Sequence, residues 1–171
     1  MKMAVRLRKI PPVCFAISLI RLLTGKLKFT RQYIGNTIKM KNGSEFTIFR
    51  HITKHPFNQN TSDCIFVISF KFAHLSHKVN KLASVIPMLL ITGFPGFIKK
   101  MYAVNFKNGY WQGMYQWESK EHLEEYKKSF VFKMMNKRAI SDSITSIEMI
   151  DHKLNDFINN HMISNLSNDI I

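Results

Sequence analysis

From residue 64 to 72 the side chains alternate between two faces of an extended chain. Phe66, Ile68, Phe70 and Phe72 lie on one face, and Ile65, Val67, Ser69 and Lys71 on the other. Both faces start apolar, so this segment is a central strand covered on both sides. Ser76 then caps a helix over 77–90, with Val79, Leu82, Ala83, Ile86, Leu89 and Leu90 on one side and Pro87 kinking or splitting it. Gly93 and Gly96 belong to the turn that follows. Strands over 97–106 and 110–118 flank Lys107-Asn108-Gly109, an Asn-Gly hairpin signal that predicts a type I′ turn. Ser119 caps one long helix, with Glu121, Glu124 and Glu125 early and Lys133, Lys137 and Arg138 late, as the helix dipole favours. Leu123, Tyr126, Val131 and Met134 are its buried side. Residues 141–143 break it, 144–150 form a last strand, and 151–171 read as a polar tail or a loose helix.

Upstream, Pro11-Pro12 precedes the apolar run 13–23, which Ser18 and Arg21 interrupt. A basic start followed by an apolar run superficially resembles a signal peptide. Arg21, the lack of a small-residue cleavage site and the further bases Lys26, Lys28 and Arg31 argue against one. The run is also shorter than the roughly 20 apolar residues that span a bilayer. Two readings stay open: a helix packed on the domain, or a helix lying on an anionic membrane surface. A second hairpin follows, with strands over 37–40 and 45–51 around Lys41-Asn42-Gly43-Ser44, again expected as type I′. Phe49 breaks the alternation of its second strand. The polar stretch 55–62 is the boundary before the core.

The order from residue 64 is β-α-β-β-α-β, an α+β, ferredoxin-like arrangement with both helices on one face of an antiparallel sheet. The other face also carries apolar and aromatic side chains and needs a second cover. A twin subunit across a two-fold axis is the economical one, giving a dimeric α/β barrel. The expected organisation is a basic N-terminal extension over 1–62, the barrel domain over 63–151 and a C-terminal tail over 152–171.

Charge adds one distinction. The net charge is +14, and residues 1–54 hold twelve Lys/Arg against the single acid Glu45. Residues 55–171 hold thirteen against ten. An anionic partner would meet the first third, unless the bases only reflect a chain rich in Lys, Asn, Ile and Phe. Cys14 and Cys64 lack CxxC spacing, so a reducing, cytoplasmic setting is expected. His74/His77 and His51/His55 have no third ligand at metal spacing, and no metal site is expected. There is no P-loop, GxGxxG, GxSxG or HExxH motif, and no nucleic-acid reading motif.

The segment 113–136, GMYQWESKEHLEEYKKSFVFKMMN, joins an aromatic strand ending in Trp117-Glu118-Ser119 to a helix with Tyr126, Ser129 and Val131-Phe132-Lys133. Gly93-Phe94-Pro95-Gly96-Phe97 precedes it. Together these resemble the antibiotic-biosynthesis-monooxygenase and haem-degrading-monooxygenase superfamily of dimeric α+β barrels, over 64–150. The resemblance implies that Trp117 lies beside a pocket. It also implies that Asn136 stands where haem-degrading members have their axial His, and that the first strand offers Ser69 where they use Asn. Carboxamide is a poor iron ligand, so haem is disfavoured. What the resemblance leaves is cofactor-independent oxygenation of a small aromatic or polycyclic compound by direct reaction with oxygen.

Such chemistry needs an apolar cavity, an acid/base group and an oxyanion donor. The catalytic candidates are His74, Tyr102 and Tyr115. The pocket candidates are Ser69, Tyr110, Trp111, Gln112, Trp117 and Asn136. Trp111, Gly113, Tyr115 and Trp117 share one strand face, and Tyr110, Gln112, Met114 and Gln116 the other; which face meets the helices stays open. The alternative function is a non-catalytic homodimer that binds a small apolar ligand or attaches to an anionic membrane through Lys2, Arg6, Arg8, Lys9, Arg21, Lys26 and Lys28.

Overall fold

The computed structural model describes residues 10–56, 63–74 and 76–163. Helix α1 (Pro11–Leu23) leads to strands β1 (Leu27–Phe29), β2 (Thr37–Lys39) and β3 (Glu45–Lys54). After β4 (Cys64–Lys71) come α2 (His77–Ala83), α3 (Val85–Thr92), β5 (Phe97–Val104) and β6 (Tyr110–Trp117). Helices α4 (Lys120–Lys127) and α5 (Phe130–Arg138), strand β7 (Thr145–Ile150) and helix α6 (Leu154–His161) complete the chain. All strands join one antiparallel sheet ordered β1-β3-β5-β6-β4-β7, with β2 also pairing β3. Within it, β4, β5, β6 and β7 have the ferredoxin-like order expected from the sequence.

Several local expectations change. Both Asn-Gly loops put only the glycine at positive φ, Gly43 at 80° and Gly109 at 77°. They are therefore not type I′ turns, which need positive φ at two central residues. Helix 77–90 divides at Ser84, not at Pro87, which sits in the first turn of α3 where its missing N–H is harmless. Ser84 is held by Arg50, whose Nη1 donates to its Oγ at 2.7 Å. The single long helix after Ser119 is two helices, because Ser129 caps a second one by accepting from Phe132 N at 3.3 Å. Phe49 lies at a register shift between Ile48 and Arg50, and this bulge accounts for its broken alternation.

The larger change concerns the second face of the sheet. Tyr33, Ile38, Phe46, Ile48, Ile65, Val67, Met101, Ala103 and Met114 form an apolar cluster there, and α6 covers it with Leu154, Phe157 and Ile158. Polar ties fix α6 in place: Lys99 Nζ donates to Asn155 Oδ1 at 2.8 Å, and Leu154 N to Gln116 Oε1 at 3.1 Å. The tail expected to be polar thus supplies an apolar stripe at i, i+3 and i+4. Much of the face assigned to a twin subunit is covered by the chain itself. Ile147 on the edge strand β7 stays 47% exposed, beside an open groove of about 680 Å³ between β7, the β2–β3 turn and α6.

On that face His51 is buried between two threonines, with Nδ1 2.8 Å from Thr30 Oγ1 and Nε2 3.1 Å from Thr53 Oγ1. Burial, helped by the Lys99 charge, lowers its pKa from 6.5 to about 4. Below 6.5 the unfolded chain takes up a proton that the folded chain refuses. Stability is therefore expected to fall between pH 6.5 and pH 4, by about 3 kcal/mol over the window. Thermal melts across that range should show a smaller slope for His51→Gln; equal slopes would refute the assignment.

The opposite, larger core lies between the sheet and helices α1–α5. Ser18 of α1 meets Thr92 Oγ1 at 2.8 Å, and a Cβ on Gly93 would overlap the Cys14 carbonyl. The open choice for this helix thus resolves into packing on one side. Its other side leaves Phe15, Leu19, Ile20 and Leu23 exposed, Leu23 at 88%.

Candidate functional site

Strand alternation on β5 and β6 settles which aromatic face meets the helices. Trp111, Tyr115 and Trp117 of β6 and Tyr102 of β5 belong to the helix-side core. Lys100 pairs with Tyr115 across the β5–β6 ladder and with Ile52 on β3, and so points the same way. Its amine lies 4.0 Å from the Tyr102 ring centre and 4.4 Å from that of Tyr115. Lys100 is only 3% exposed.

Around this lysine is a small cavity of about 50 Å³. Phe70, Trp111, Tyr102 and Tyr115 line it from the sheet, and Pro87, Ile91, Val131, Met134, Met135 and Arg138 close it from α3 and α5. Gly113, opposite Tyr102 in the ladder, lines it without a side chain, and a Cβ there would press on the Tyr115 ring at 2.9 Å. Trp111 is held at the outer end, its Nε1–H donating to His77 Nδ1 at 2.9 Å. At the inner end the Tyr126 hydroxyl donates to that of Tyr115 at 3.4 Å, and Tyr126 stacks on Trp117 at 4.9 Å.

Burial sets the charge states. Desolvation, reinforced by the Arg50 guanidinium, lowers the Lys100 pKa well below 10.5, toward the neutral amine. Desolvation raises the Tyr102 and Tyr126 pKa values well above 10 and that of Tyr115 to about 12. The tyrosines are therefore neutral hydrogen-bond donors at ordinary pH and poor bases. The Tyr102 hydroxyl is buried without a hydrogen-bond partner of ordinary geometry, although Arg50 lies 5.2 Å from its ring centre. A buried hydroxyl held only by this loose Arg50 contact keeps its donor capacity for a ligand.

The structure gathers some of the expected site residues and disperses the rest. Tyr102, Tyr115 and Trp111 line the cavity together. Gln112 borders it, but its carboxamide donates to Ser69 Oγ at 3.1 Å. Ser69 and Tyr110 line the groove on the opposite face of the sheet. Trp117 is fully buried below the cavity, and its Nε1–H has no partner. Asn136 has a buried, unpartnered Oδ1 and does not border the cavity. His74 is exposed, and its carbonyl accepts from Asn80 Nδ2 at 3.2 Å. Lys2, Arg6, Arg8 and Lys9 lie outside the described residues. Arg21 donates to the Thr92 carbonyl, while Lys26 and Lys28 are exposed.

Lys100 is the residue that the sequence reading missed. Lys99-Lys100 looks like a solvated pair, yet on a strand the two point to opposite faces. Lys100 then falls in line with Tyr102 and across from Tyr115, and that alternation was the available signal. Haem does not fit the site. No histidine side chain lines the cavity, and its volume is far below the several hundred Å³ usual for small-molecule sites. Among the described residues no group of three metal-ligating side chains occurs.

No family model and no curated protein matches the chain. Solved structures do. A ferredoxin-fold protein of Listeria monocytogenes, related to antibiotic biosynthesis monooxygenases, is 9% identical over 80% of this chain and 88% of its own, at a TM-score of 0.48. A haem-degrading enzyme of Listeria monocytogenes is 12% identical over 76% and 90%, at 0.45. An anthrone oxidase-like protein is 13% identical over 64% and 57%, at 0.43. The chain spans only 49–57% of three of the solved chains it matches. At such identities and scores they assign neither chemistry nor site residues to this chain.

Proposed function

We propose that the protein is a cofactor-independent, monooxygenase-like enzyme whose reaction centre is the helix-side cavity. The observation that carries the reading is the buried Lys100 amine held against the Tyr102 and Tyr115 rings. As a neutral amine, Lys100 takes a proton from an activated carbon or phenol of the substrate. The Tyr102 hydroxyl donates to the oxyanion that develops. The carbanion reacts directly with oxygen; one oxygen atom ends as a carbonyl on the substrate and the other leaves as water. Tyr115 and Trp111 act as walls, and His74 has no part.

The cavity of about 50 Å³ bears on the substrate class. It is smaller than the roughly 150 Å³ that holds a benzene ring. A single-ring phenolic compound requires Met134 and Met135 to swing outward, which their unbranched thioether chains permit. A polycyclic compound requires more, so the proposal is confined to small, single-ring carbon acids. Oxygen uptake with a panel of such compounds is the test. Lys100→Met and Tyr102→Phe are each expected to lower the rate about 10²-fold or more. Absence of uptake across the panel, or an unaltered rate in Lys100→Met, refutes the reading.

The exposed apolar side of α1 favours a second, compatible role in peripheral membrane attachment. Phe15, Leu19 and Leu23 project outward, and exposed Lys26 and Lys28 follow in a stretch that has no acid before Glu45. An apolar stripe with basic neighbours fits an anionic lipid surface. Among the described residues no helix is long and apolar enough to cross a membrane. Sedimentation with phosphatidylglycerol vesicles, weakened by salt and abolished by Leu23→Glu, is expected. Equal sedimentation with phosphatidylcholine vesicles, or none with either, argues against it. In a homodimer, the twin would cover the strip around Ile147 and the groove beside it, since α6 occupies the remainder of that face.

A further inference from the structure

We infer that Lys100 forms a covalent imine with small aliphatic aldehydes and ketones of two or three carbons that enter the helix-side cavity. This goes beyond proton transfer at the same site and needs no oxygen.

Three observations carry it. The first is the setting of the amine. Lys100 is 3% exposed, with its Nζ against two aromatic rings in an apolar cavity. Such surroundings favour a neutral, nucleophilic amine, the state in which lysine attacks carbonyls. The second is the Tyr102 hydroxyl, which is buried with no hydrogen bond of ordinary geometry and only the Arg50 guanidinium near it. It supplies the donor that carbinolamine dehydration needs. The third is size. A volume of about 50 Å³ corresponds to roughly three to five water-sized spheres of 10–15 Å³ each. Acetaldehyde, propanal and acetone have this bulk, whereas an aromatic aldehyde needs the methionine movement that any single-ring compound requires.

The chemistry balances with these groups alone. The Lys100 nitrogen lone pair attacks the carbonyl carbon, and a proton passes from nitrogen to oxygen to give the carbinolamine. The Tyr102 phenol protonates the hydroxyl, which leaves as water while the C=N bond forms. The resulting phenolate recovers its proton from the iminium nitrogen. Amine and carbonyl thus give imine and water, with no oxidation or reduction.

The test is reductive trapping on the full chain. Protein is incubated at pH 7 with propanal and cyanoborohydride, digested, and each lysine scored for N-propylation by mass spectrometry. Exposed Lys28 and Lys41 serve as internal references. Lys100 is expected to label at least about tenfold faster than either reference. Tyr102→Phe should slow labelling of Lys100 and leave Lys28 unchanged, and benzaldehyde, which needs Met134 and Met135 to swing outward, should label Lys100 more slowly than propanal. Labelling of Lys100 no faster than Lys28 overturns the inference, and this comparison needs no variant. Because trapping proceeds anaerobically, its failure is separable from failure of the oxygenase reading, which oxygen uptake alone decides.

Discussion

Replacing Lys100 by methionine is expected to make the protein more stable while removing its activity. The lysine is buried among aromatic rings, and the Arg50 charge adds to the penalty of protonating it. Exchanging a buried ionisable group for an apolar one of similar length commonly stabilises by about 1–4 kcal/mol. For a chain of this size that raises Tm by roughly 2–16 °C. The pH dependence gives a second signature. The folded-state pKa of Lys100 lies below its ordinary value of 10.5, so the unfolded chain binds more protons between the two values. Stability of the unaltered protein therefore rises with pH through that window and is lowest below it. The variant should lose this slope, with its largest gain at the acid end. A gain in Tm with loss of oxygen uptake and of imine trapping is the pattern of a functional residue kept at the expense of stability. A fall in Tm would mean that Lys100 is structural.

Ending the chain after Asp151 is expected to unfold the protein or drive it to aggregate. The truncation removes α6 and with it Leu154, Phe157 and Ile158, which are at most 6% exposed. Burial of each such side chain contributes about 1.5–3 kcal/mol, so the loss is about 5–9 kcal/mol. That is comparable to the whole stability of many domains. The milder change Phe157→Ala should cost about 3–5 kcal/mol. Circular dichroism melts and size-exclusion chromatography check both. A truncated chain that stays monomeric with an unchanged melt would show that α6 does not seal the sheet. A truncated chain that becomes a well-folded dimer would show that a twin can take its place.

How far the site was legible follows from particular residues. Tyr102, Tyr115 and Trp111 were visible as chemistry-bearing side chains on facing strands, and they do meet in the cavity. Ser69 and Tyr110 share the polar character expected of that pocket but lie on the other face of the sheet. Strand periodicity separates two faces without saying which one the helices cover. Side-chain chemistry alone points to His74, and its exposed position beyond β4 keeps it out of the cavity. Lys100 was overlooked because a doubled lysine usually belongs to solvent. Only its cross-strand neighbours, Ile52 and Tyr115, reveal that it is walled in.

By itself the sequence determined the core element order, the Ser76 and Ser119 caps, the positions of the two Asn-Gly loops and the alternating strands of the sheet. These are written in local spacing, because period-two alternation, a capping hydroxyl or a glycine at positive φ acts over a few residues. The tertiary structure alone decided that β3 docks beside β5, that α6 returns to cover the second face, and that a lysine sits in the aromatic core. Each of these depends on contacts between residues far apart in the chain. Their energies come from the burial of whole surfaces, to which short-range pattern is blind.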